Sequence, residues 1–403
     1  MARREPNKPE RAMFEQLQDL PPDGLLALIK LYRDDARPEK IDLGVGVYRD
    51  SDGGTPVFRG VKKAEHRLHE TQDSKSYLGP EGDLGFVAAL RPYIFGQGDA
   101  FGDRLRGVQT PGGTGAVRLA CETLAKAGAT KVLLGTPSWP NHAPIIQATG
   151  MEPVTFTHAD IATETLDFDA LLTAMKAAEA GDVVLLHGCC HNPTGIDYDL
   201  NQWAQIADLV AERGLFPLID LAYQGLGAGF EEDAEGLRKV LAAAPESMLA
   251  YSCDKNFGLY RERVGALYAI SKTDDQAATL FSHLLSNARA NWSMPPDHGA
   301  ATVRVILTDD EFRREWDAEV AEMRARLNRM RAALAQHGTI GTVDLAAVGE
   351  QNGLFSTLNL NKDQVMALRK SHGIYMAASG RINVAGLNER NIPHFVEALR
   401  SIA

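Results

Sequence analysis

Lys255 lies in a stretch whose residue types could hold a small molecule at two places. The stretch reads YSCDKNFGLYRERVG over residues 251–265. A lysine amine can form a Schiff base with a carbonyl group, and partial burial lowers its pKa toward a useful range. A serine hydroxyl and a nearby arginine, here Ser252 and Arg263, are groups that bind phosphate. The stretch therefore predicts a ligand with an aldehyde and a phosphate, although a lysine after a strand is most often a surface residue.

Pyridoxal phosphate carries both groups, and other residues match the rest of its ring. Asp220 ends an apolar run, where a carboxylate is unfavourable unless a cation meets it. It either caps the following helix or pairs with the protonated pyridine nitrogen, which makes the ring an electron sink. Tyr223 and Asn192 could each donate to the phenolic oxygen of the ring. Trp139, between two prolines, would either stack on the ring or pack in the core.

Two glycine-containing segments could approach a ligand with their backbone. The sequence TPGGTGA at 110–116 precedes a predicted helix over 117–128, and glycine-rich turns at helix N-termini offer free N–H groups to phosphate. Its spacing matches neither a Walker loop nor a dinucleotide fingerprint, so a tight turn is an equal alternative. Gly44 and Gly46 interrupt a strand-like run at 40–49. They indicate either close approach to a ligand or a loose edge strand.

Composition and charge narrow the class of protein. The chain has 403 residues, of which 44% are hydrophobic and 24% charged, as is ordinary for a soluble globular protein. A formal net charge of −11 without a basic tail argues against nucleic acid as a partner. A small anionic substrate stays possible, because a few arginines in a cleft can override the overall sign locally.

The cysteines and the N-terminus predict the compartment. Four cysteines are present, at 121, 189, 190 and 253, and the adjacent pair has no metal-ligand spacing. We therefore expect neither a metal site nor a disulfide framework, and a reducing cytoplasm. The first residues, MARREPNK, lack the apolar core of a secretory signal, and no run approaches the length that crosses a bilayer. We expect no membrane partner.

The apolar pattern predicts the elements that position these residues. Apolar runs at 131–134, 182–186, 215–220 and 264–270 alternate with helical segments such as 198–214. This alternation indicates an open α/β sheet that is mostly parallel and covered on both faces. Ligands bind beyond the carboxyl ends of such strands, where Asn192 and Asp220 lie.

The remaining segments predict a division into domains. Helical repetition is predicted at 22–32, and the capping-box pattern TDDE at 308–311 opens a long helix toward residue 338 whose apolar stripe is core. Strands are predicted at 353–358 and 381–385. We therefore predict an N-terminal arm at 1–22 and a large domain at 51–310. A smaller α+β domain combines 23–50 with 311–403, which includes the interdomain helix.

The motifs in their order resemble those of one family. They read PGGTGA at 111–116, PSWPNH at 137–142, HGCCHNPTG at 187–195, KNFGLY at 255–260 and ASGRINVA at 378–385. From about residue 25 to the C-terminus the chain resembles the class I pyridoxal-phosphate aminotransferases of the aspartate and aromatic subgroup. The resemblance implies fold type I: a large domain with a mostly parallel, seven-stranded sheet covered by helices, and a smaller α+β domain.

The resemblance implies a role for each matching cofactor residue. Lys255 is implied to bond the cofactor and to move a proton, Asp220 to hold the pyridine nitrogen with His142 behind it, and Tyr223 to assist catalysis. Contacts to the ring, to its phenolic oxygen or to the phosphate are implied for Gly113, Thr114, Trp139, Asn192, Tyr223, Ser252 and Arg263. Tyr77 is implied to reach the phosphate of a neighbouring subunit, which makes an active homodimer with shared sites.

The resemblance also implies how substrates bind. Arg381 would clamp the α-carboxylate, with Gly46, Trp139 and Asn192 against the substrate, and Arg289 would pair with a distal carboxylate across the dimer interface. These roles predict ping-pong transfer of an amino group from L-aspartate to 2-oxoglutarate. Aromatic-active relatives can keep this arginine and swing it aside, so tyrosine and phenylalanine remain alternatives.

Three positions depart from the family pattern. Gly112 stands where some relatives have a phosphate-binding serine, and Met294 replaces an asparagine near the ring. Asp254 replaces a serine beside Lys255, where it either raises the lysine pKa or points away. Decarboxylation or β-elimination could run on the same residues. A non-catalytic relative would more readily have lost Lys255 or Asp220.

Overall fold

The computed structural model describes residues 13–19, 24–98 and 100–403, so the predicted arm at 1–22 lies largely outside the described residues. Single turns of 3-10 helix cover Met13–Gln16, Gly102–Arg104 and Val384–Gly386. The α-helices are α1 Gly24–Asp34, α2 Arg59–Thr71, α3 Leu84–Phe95, α4 Gly112–Lys126, α5 His142–Ala148, α6 Phe168–Ala177, α7 Leu200–Arg213, α8 Glu232–Ala243, α9 Asp274–Trp292, α10 Asp297–Thr308, α11 Asp310–Ala335, α12 Leu345–Glu350, α13 Lys362–His372 and α14 Ile392–Ile402.

The strands are short outside one central sheet. They are β1 Ile41–Asp42, β2 Leu105–Pro111, β3 Lys131–Thr136, β4 Glu152–Thr157, β5 Ala159–Asp160, β6 Thr165–Leu166, β7 Val183–His187, β8 Phe216–Leu221, β9 Ser247–Ser252, β10 Val264–Ile270, β11 Thr339–Ile340, β12 Val343–Asp344, β13 Phe355–Thr357, β14 Ile374–Tyr375 and β15 Arg381–Asn383. The runs predicted at 353–358 and 381–385 contain β13 and β15, which pair with each other.

The central sheet has seven strands in the order β2-β10-β9-β8-β7-β3-β4. β10 is antiparallel to both of its neighbours, and the other paired strands are parallel. The predicted α/β class with a mostly parallel sheet is therefore confirmed. The strands β2, β3, β7, β8 and β9 end at one edge of the sheet, where β10 begins.

Helices cover both faces of this sheet. Along β7, Val184 and Leu186 belong to one apolar cluster, and Val183 and Leu185 belong to another. Successive side chains of a strand point to opposite faces, so a strand buried on both faces reads as a continuous apolar run. The helices α4, α5 and α9 supply the second cluster, and α2, α3, α7, α8 and α10 pack in the first.

A separate apolar cluster packs around the C-terminal elements. It joins Ile41 of β1 to Ile374 of β14 and to Phe395 of α14. The long helix α11 connects the clusters, because Trp316 packs in the large one and Leu334 in this one. The boundaries given above at residues 22, 50 and 310 stay predictions.

Two predicted helix starts differ from the structure. α4 begins at Gly112 rather than at residue 117, so the glycines form its first turn. α11 is capped by Asp309, whose Oδ1 accepts the N–H groups of Glu311 at 2.9 Å and Phe312 at 3.2 Å. Thr308 cannot serve as that cap because it is the last residue of α10.

The strand-like run at 40–49 is a strand only at β1. Beyond it the backbone turns, because Asp42 Oδ1 accepts the N–H of Gly44 at 3.0 Å. Asn383 then fixes the loop by donating through Nδ2 to the carbonyl oxygens of Val45 and Val47, the second at 2.7 Å. None of the helices in the described ranges is both long and apolar enough to cross a membrane.

Candidate active site

A cavity of ≈ 230 Å³ opens at the edge of the sheet where the parallel strands end. Ten of the predicted site residues line it: Gly46, Gly113, Thr114, Trp139, Asn192, Asp220, Tyr223, Ser252, Lys255 and Arg263. Nine of them come from the ends of β2, β3, β7, β8 and β9 or from the segments that follow, and Gly46 comes from the loop after β1. Positions distant in sequence therefore converge as strand ends do in an open α/β sheet.

The N-terminus of α4 forms one end of the cavity. A Cβ atom at Gly113 would lie 2.9 Å from the Cβ of Ser252, so only glycine fits without a shift. Gly112 has a φ of +68°, in the left-handed region that favours glycine. The first N–H groups of a helix have no intrahelical partner, and the N-cap residue Pro111 makes no side-chain hydrogen bond to them. This end can bind an anion such as phosphate.

Arg263 faces the same end of the cavity. Its φ of 54° is uncommon for a residue with a side chain, and such strain is of order 1–3 kcal/mol. Its Nη1 donates to the carbonyl oxygen of Tyr260 at 3.1 Å and forms an ion pair with Asp254 Oδ2. These contacts hold the guanidinium beside the glycines of α4.

Asp254 lies inside the site rather than pointing away from it. Its carboxylate lines the cavity, and Oδ1 has no hydrogen-bond partner among the described residues. Burial raises the pKa of Asp254, although the charges of Lys255 and Arg263 work in the opposite direction. Asp254 is therefore a buried carboxylate between Lys255 and Arg263, the two residues that were predicted to hold the cofactor at its ends.

Lys255 is buried, and burial lowers the pKa of its amine from the ordinary value. The nearby carboxylates Asp254 and Asp220 oppose this shift because they favour the charged amine. The Nζ atom lies 5.3 Å from the centroid of the Tyr223 ring. Burial thus shifts the amine toward its neutral form, which is the form that can attack a carbonyl or accept a proton.

Asp220 anchors the opposite end through a chain of hydrogen bonds. His142 Nε2 donates to Asp220 Oδ2 at 2.9 Å, and Ser138 Oγ bridges His142 Nδ1 at 2.9 Å and His187 Nε2 at 3.2 Å. Burial opposes ionisation of Asp220, but the hydrogen bond from His142 and the nearby positive charges outweigh it and lower its pKa. Burial lowers the pKa of His187 to about 3, so that imidazole is neutral. Asp220 is thus held as a carboxylate.

Asn192 and Tyr223 lie side by side on the cavity wall. Asn192 Nδ2 is 3.4 Å from the hydroxyl of Tyr223, and no described residue bonds Asn192 Oδ1. Burial raises the pKa of Tyr223, which keeps its hydroxyl a donor. Trp139 is half-buried and meets the His142 ring edge-on at 5.0 Å between centroids. These groups suit a planar ring that carries an oxygen substituent.

Arg381 lies behind the cavity wall and is not among the lining residues. Its Nη2 donates to the carbonyl oxygen of Gly44 at 2.9 Å, and its guanidinium lies 4.5 Å from the centroid of Phe355. Phe355 also closes on Gly46, where a Cβ atom would lie 2.8 Å from the ring. Nε of Arg381 is buried without a partner in the part of the chain described. The arginine therefore retains donors for an anion beside Gly46.

Tyr77 and Arg289 lie outside this cavity. The side chain of Tyr77 is 95% exposed, and Arg289 is exposed on the last turn of α9. The N–H of Leu78 lies 3.0 Å from Met294 Sδ, so the loop with Tyr77 contacts the segment that follows α9. The roles predicted for both residues are in a neighbouring subunit, which a single chain does not test. Action in a neighbouring subunit stays a prediction.

Three residues that line the cavity had no predicted role. His187 ends β7, Ala222 follows β8 and Tyr260 lies in the stretch around Lys255. Position directly after a buried strand was the available signal for the first two. Tyr260 does not directly follow a strand and gave no such signal. Its hydroxyl accepts the N–H of Tyr48 at 2.8 Å, and a contact between residues 212 positions apart cannot be read from the sequence.

The adjacent cysteines form a buried cluster with Asp233. The ligand atoms of Cys189, Cys190 and Asp233 lie within 4.8 Å of one another, which the sequence spacing did not predict. Both carboxylate oxygens of Asp233 already accept backbone N–H groups, for example from Gly225 and Ala228 at 2.8 Å. The hydrogen bond with Cys190 and burial raise the pKa of the Cys189 thiol. The carboxylate of Asp233 therefore holds the backbone at 225–229, and its role in this cluster is structural.

The residues present fit pyridoxal phosphate. The glycines of α4 leave room for the phosphate of the cofactor, and Lys255 lines the same cavity, where it can meet the aldehyde of the cofactor. Asp220 is an ionised partner for a pyridinium nitrogen. The unpaired Oδ1 of Asn192 shows that this wall still has hydrogen-bonding capacity for a ligand.

Comparisons with known proteins agree with this geometry. The family model for aminotransferase class I and II matches residues 38–399. A tyrosine aminotransferase of Rhizobium meliloti (strain 1021) is 52% identical over 93% of this chain and 96% of its own length. An aspartate aminotransferase of Escherichia coli (strain K12) is 46% identical over 97% of this chain and 100% of its own length.

A solved structure also matches this chain. It is the crystal structure of the aromatic-amino-acid aminotransferase from Burkholderia pseudomallei covalently bound to pyridoxal phosphate, with a TM-score of 0.94 at 37% identity. The match covers 97% of this chain and 100% of that one. The chain belongs to the class I and II aminotransferase family.

Proposed function

We propose that this aminotransferase uses pyridoxal phosphate to transfer the amino group of L-aspartate reversibly to 2-oxoglutarate. The supporting observation is the placement of Lys255 in one cavity between an anion-binding helix end and the His142–Asp220 pair. A surface lysine would be neither buried nor flanked by these groups. Membership of the aspartate and aromatic subgroup of aminotransferases makes amino transfer the reaction of this site.

The residues divide the chemistry among them. When bound, pyridoxal phosphate supplies an electron sink for the negative charge that develops at the substrate Cα. In its neutral form, Nζ of Lys255 would remove the proton from the substrate Cα and deliver it to the aldehyde-derived carbon of the cofactor, as general base and then general acid. Asp220, held ionised by His142, keeps a proton on the pyridine nitrogen. Tyr223 and Asn192 donate to the phenolic oxygen.

A ping-pong sequence follows from one set of groups acting on both substrates. Hydrolysis with one water would release the first oxo acid, and the amino group would pass by way of the bound cofactor to the second oxo acid. Lys255 would then make the same proton transfers in reverse, with one water returned. The α-carboxylate is common to all substrates, and we assign its binding to Arg381, whose planar guanidinium suits a carboxylate.

We propose that the distal carboxylate of aspartate is bound by Arg289 of a second copy of the chain. Among the described residues that line the cavity, the cations are Lys255 and Arg263, both assigned to the cofactor. A second carboxylate needs another cation, because a buried charge without a partner is strongly unfavourable. Arg289 and Tyr77 are exposed and free to reach a neighbour, which supports a homodimer with shared sites.

Aromatic amino acids are the second candidate class of donor. The relative that is 52% identical is named a tyrosine aminotransferase, which favours an activity toward tyrosine and phenylalanine. Both classes are compatible if Arg289 pairs with a distal carboxylate and moves aside for an uncharged ring. The two classes then share every residue that acts on the cofactor.

The substitution Arg289→Leu tests this assignment. We expect kcat/KM for aspartate to fall by on the order of 10²-fold or more, because the distal carboxylate loses its partner, and kcat/KM for phenylalanine to change by less than about fivefold. The measurement is the initial rate with each donor and 2-oxoglutarate as acceptor. Arg314→Leu, at an exposed arginine of α11, is the control and should affect neither donor. Equal losses for both donors would remove the specificity role of Arg289.

A further inference from the structure

The guanidinium at the phosphate end of the cavity already has an anion. Arg263 pairs with Asp254 Oδ2, and the Asp254 side chain is almost fully buried at that contact. The second oxygen, Oδ1, has no hydrogen-bond donor in the described part of the chain. A buried carboxylate with an unpaired oxygen depends on its ion pair to remain charged. Asp254 is therefore bound to the same cation that a phosphate group needs.

Gly112 makes this ion pair possible. A Cβ atom at position 112 would lie 2.6 Å from Arg263 Nη2 and 3.3 Å from Asp254 Oδ2. Any side chain there would displace the guanidinium from its present place, and the φ of +68° disfavours one in any case. Gly112 and Asp254 are two separate departures from the family pattern in the sequence. In the structure they lie together, where Asp254 contacts the guanidinium of Arg263 and Gly112 leaves room for it.

The charges at this end do not suit a phosphate and Asp254 together. The positive groups are the Arg263 guanidinium and the partial charge at the α4 N-terminus. A phosphate monoester brings between one and two negative charges at neutral pH. With Asp254 ionised, two anions compete for one guanidinium at close range, and contacts between like charges are unfavourable. A phosphate at Arg263 therefore competes with Asp254 for the guanidinium.

We propose that Asp254 is a competing anion of the phosphate subsite, which occupies Arg263 until the cofactor phosphate enters and weakens the hold on that phosphate. The proposal rests on the proposed function, because it takes pyridoxal phosphate as the ligand. It assigns to Asp254 an effect on cofactor retention rather than on the proton transfers at Lys255. Cofactor exchange is then faster in this chain than in a variant with a neutral residue at 254.

The test compares two ligands that differ only in the phosphate. Pyridoxamine 5′-phosphate and pyridoxamine have no aldehyde and do not react with Lys255, so the ratio of their dissociation constants isolates the contribution of the phosphate. Titration calorimetry on the cofactor-free protein measures both constants. In Asp254→Ser and in Asp254→Asn we expect the preference for the phosphorylated ligand to rise at least about tenfold over that of the unchanged chain. Asp208→Asn, which removes the same charge from an exposed site on α7, should leave the preference unchanged.

Each outcome decides the matter. An unchanged or smaller preference in either variant, with its melting temperature retained, overturns the proposal and makes Asp254 a support for Arg263 instead. If the unchanged chain binds neither ligand, the proposed function fails and the inference fails with it. If the chain binds both ligands and only the expected rise is missing, the proposed function stands and Asp254 has no competing role.

Discussion

Two buried carboxylates at opposite ends of the cavity differ in the direction of their pKa. Asp220 is 8% exposed and Asp254 is 3% exposed, so burial disfavours the charge of both. The pKa of Asp220 is nevertheless lowered, whereas that of Asp254 is raised. Asp220 receives a hydrogen bond from a histidine that is fixed by a serine, and Asp254 has a single ion pair and one oxygen without a partner.

Burial raises the pKa of both carboxylates, so the difference in direction comes from the groups around each one. At the Asp220 end the partners are permanent parts of the fold, so the end is prepared for a cationic ring nitrogen before any ligand arrives. At the Asp254 end the partner is the cation that a phosphate also needs. Asp220 keeps the same partners when the cofactor binds, whereas Arg263 exchanges Asp254 for the phosphate in the proposal above.

The largest expected effect comes from the lysine between the two carboxylates. Lys255→Ala removes the proton carrier, and we expect kcat to fall by on the order of 10⁴-fold or more. Steady-state transamination of aspartate, assayed without added amines, measures the loss. Lys239→Ala, at an exposed lysine of α8, is the matched control. Near-normal turnover by Lys255→Ala would show that Lys255 does not carry the proton and would contradict the proposed mechanism.

The same substitution at the two carboxylates separates the two ends. Asp220→Asn should lower kcat by about 10²- to 10³-fold, because the ring nitrogen loses its charged partner, and should leave the preference for phosphorylated ligand unaltered. Asp254→Asn should change that preference and should lower kcat by less than about tenfold. Turnover and ligand titration on both variants provide the comparison. Similar effects of the two substitutions on kcat would mean that the ends are not functionally distinct.

A smaller effect is expected from removing the donor to Asp220. In the unchanged chain the hydrogen bond from His142 helps to hold the pKa of Asp220 below its ordinary value against the effect of burial. His142→Ala removes that hydrogen bond while burial persists, so the pKa of Asp220 rises. Activity requires the carboxylate, so the acidic limb of the kcat–pH profile should move to higher pH, with a loss of about tenfold or less at the optimum. His66→Ala, at an exposed histidine, is the control. An unmoved acidic limb would contradict the role given to His142.

Much of the fold could be predicted because burial on both faces leaves a direct trace in the sequence. All seven residues of β10 are buried, and the apolar run at 264–270 has the same bounds as the strand. The direction of that strand was not readable, since an apolar run looks alike in parallel and antiparallel pairs. The start of α4 was missed because glycine disfavours helix, and packing against Ser252 and Arg263 overrides that preference here.

The site could be predicted where its residues follow strands or match family motifs. Ten predicted residues line one cavity, and Asp254 was singled out as unusual. Its partner was not foreseen, because the ion pair depends on a left-handed Arg263 nine positions later and on the missing side chain of Gly112. Arg289 and Tyr77 need a second chain for their predicted roles, and contacts between copies leave no periodic pattern within one sequence.

One measurement tests the assignment of amino transfer most directly. The cofactor-loaded protein is mixed with excess aspartate and no acceptor, and the products are identified and counted. The account predicts one oxo acid per bound cofactor, with no carbon dioxide and no free ammonia, and further oxo acid only after 2-oxoglutarate is added. Continuous release of carbon dioxide or ammonia without an acceptor would show a decarboxylation or an elimination and would contradict the account.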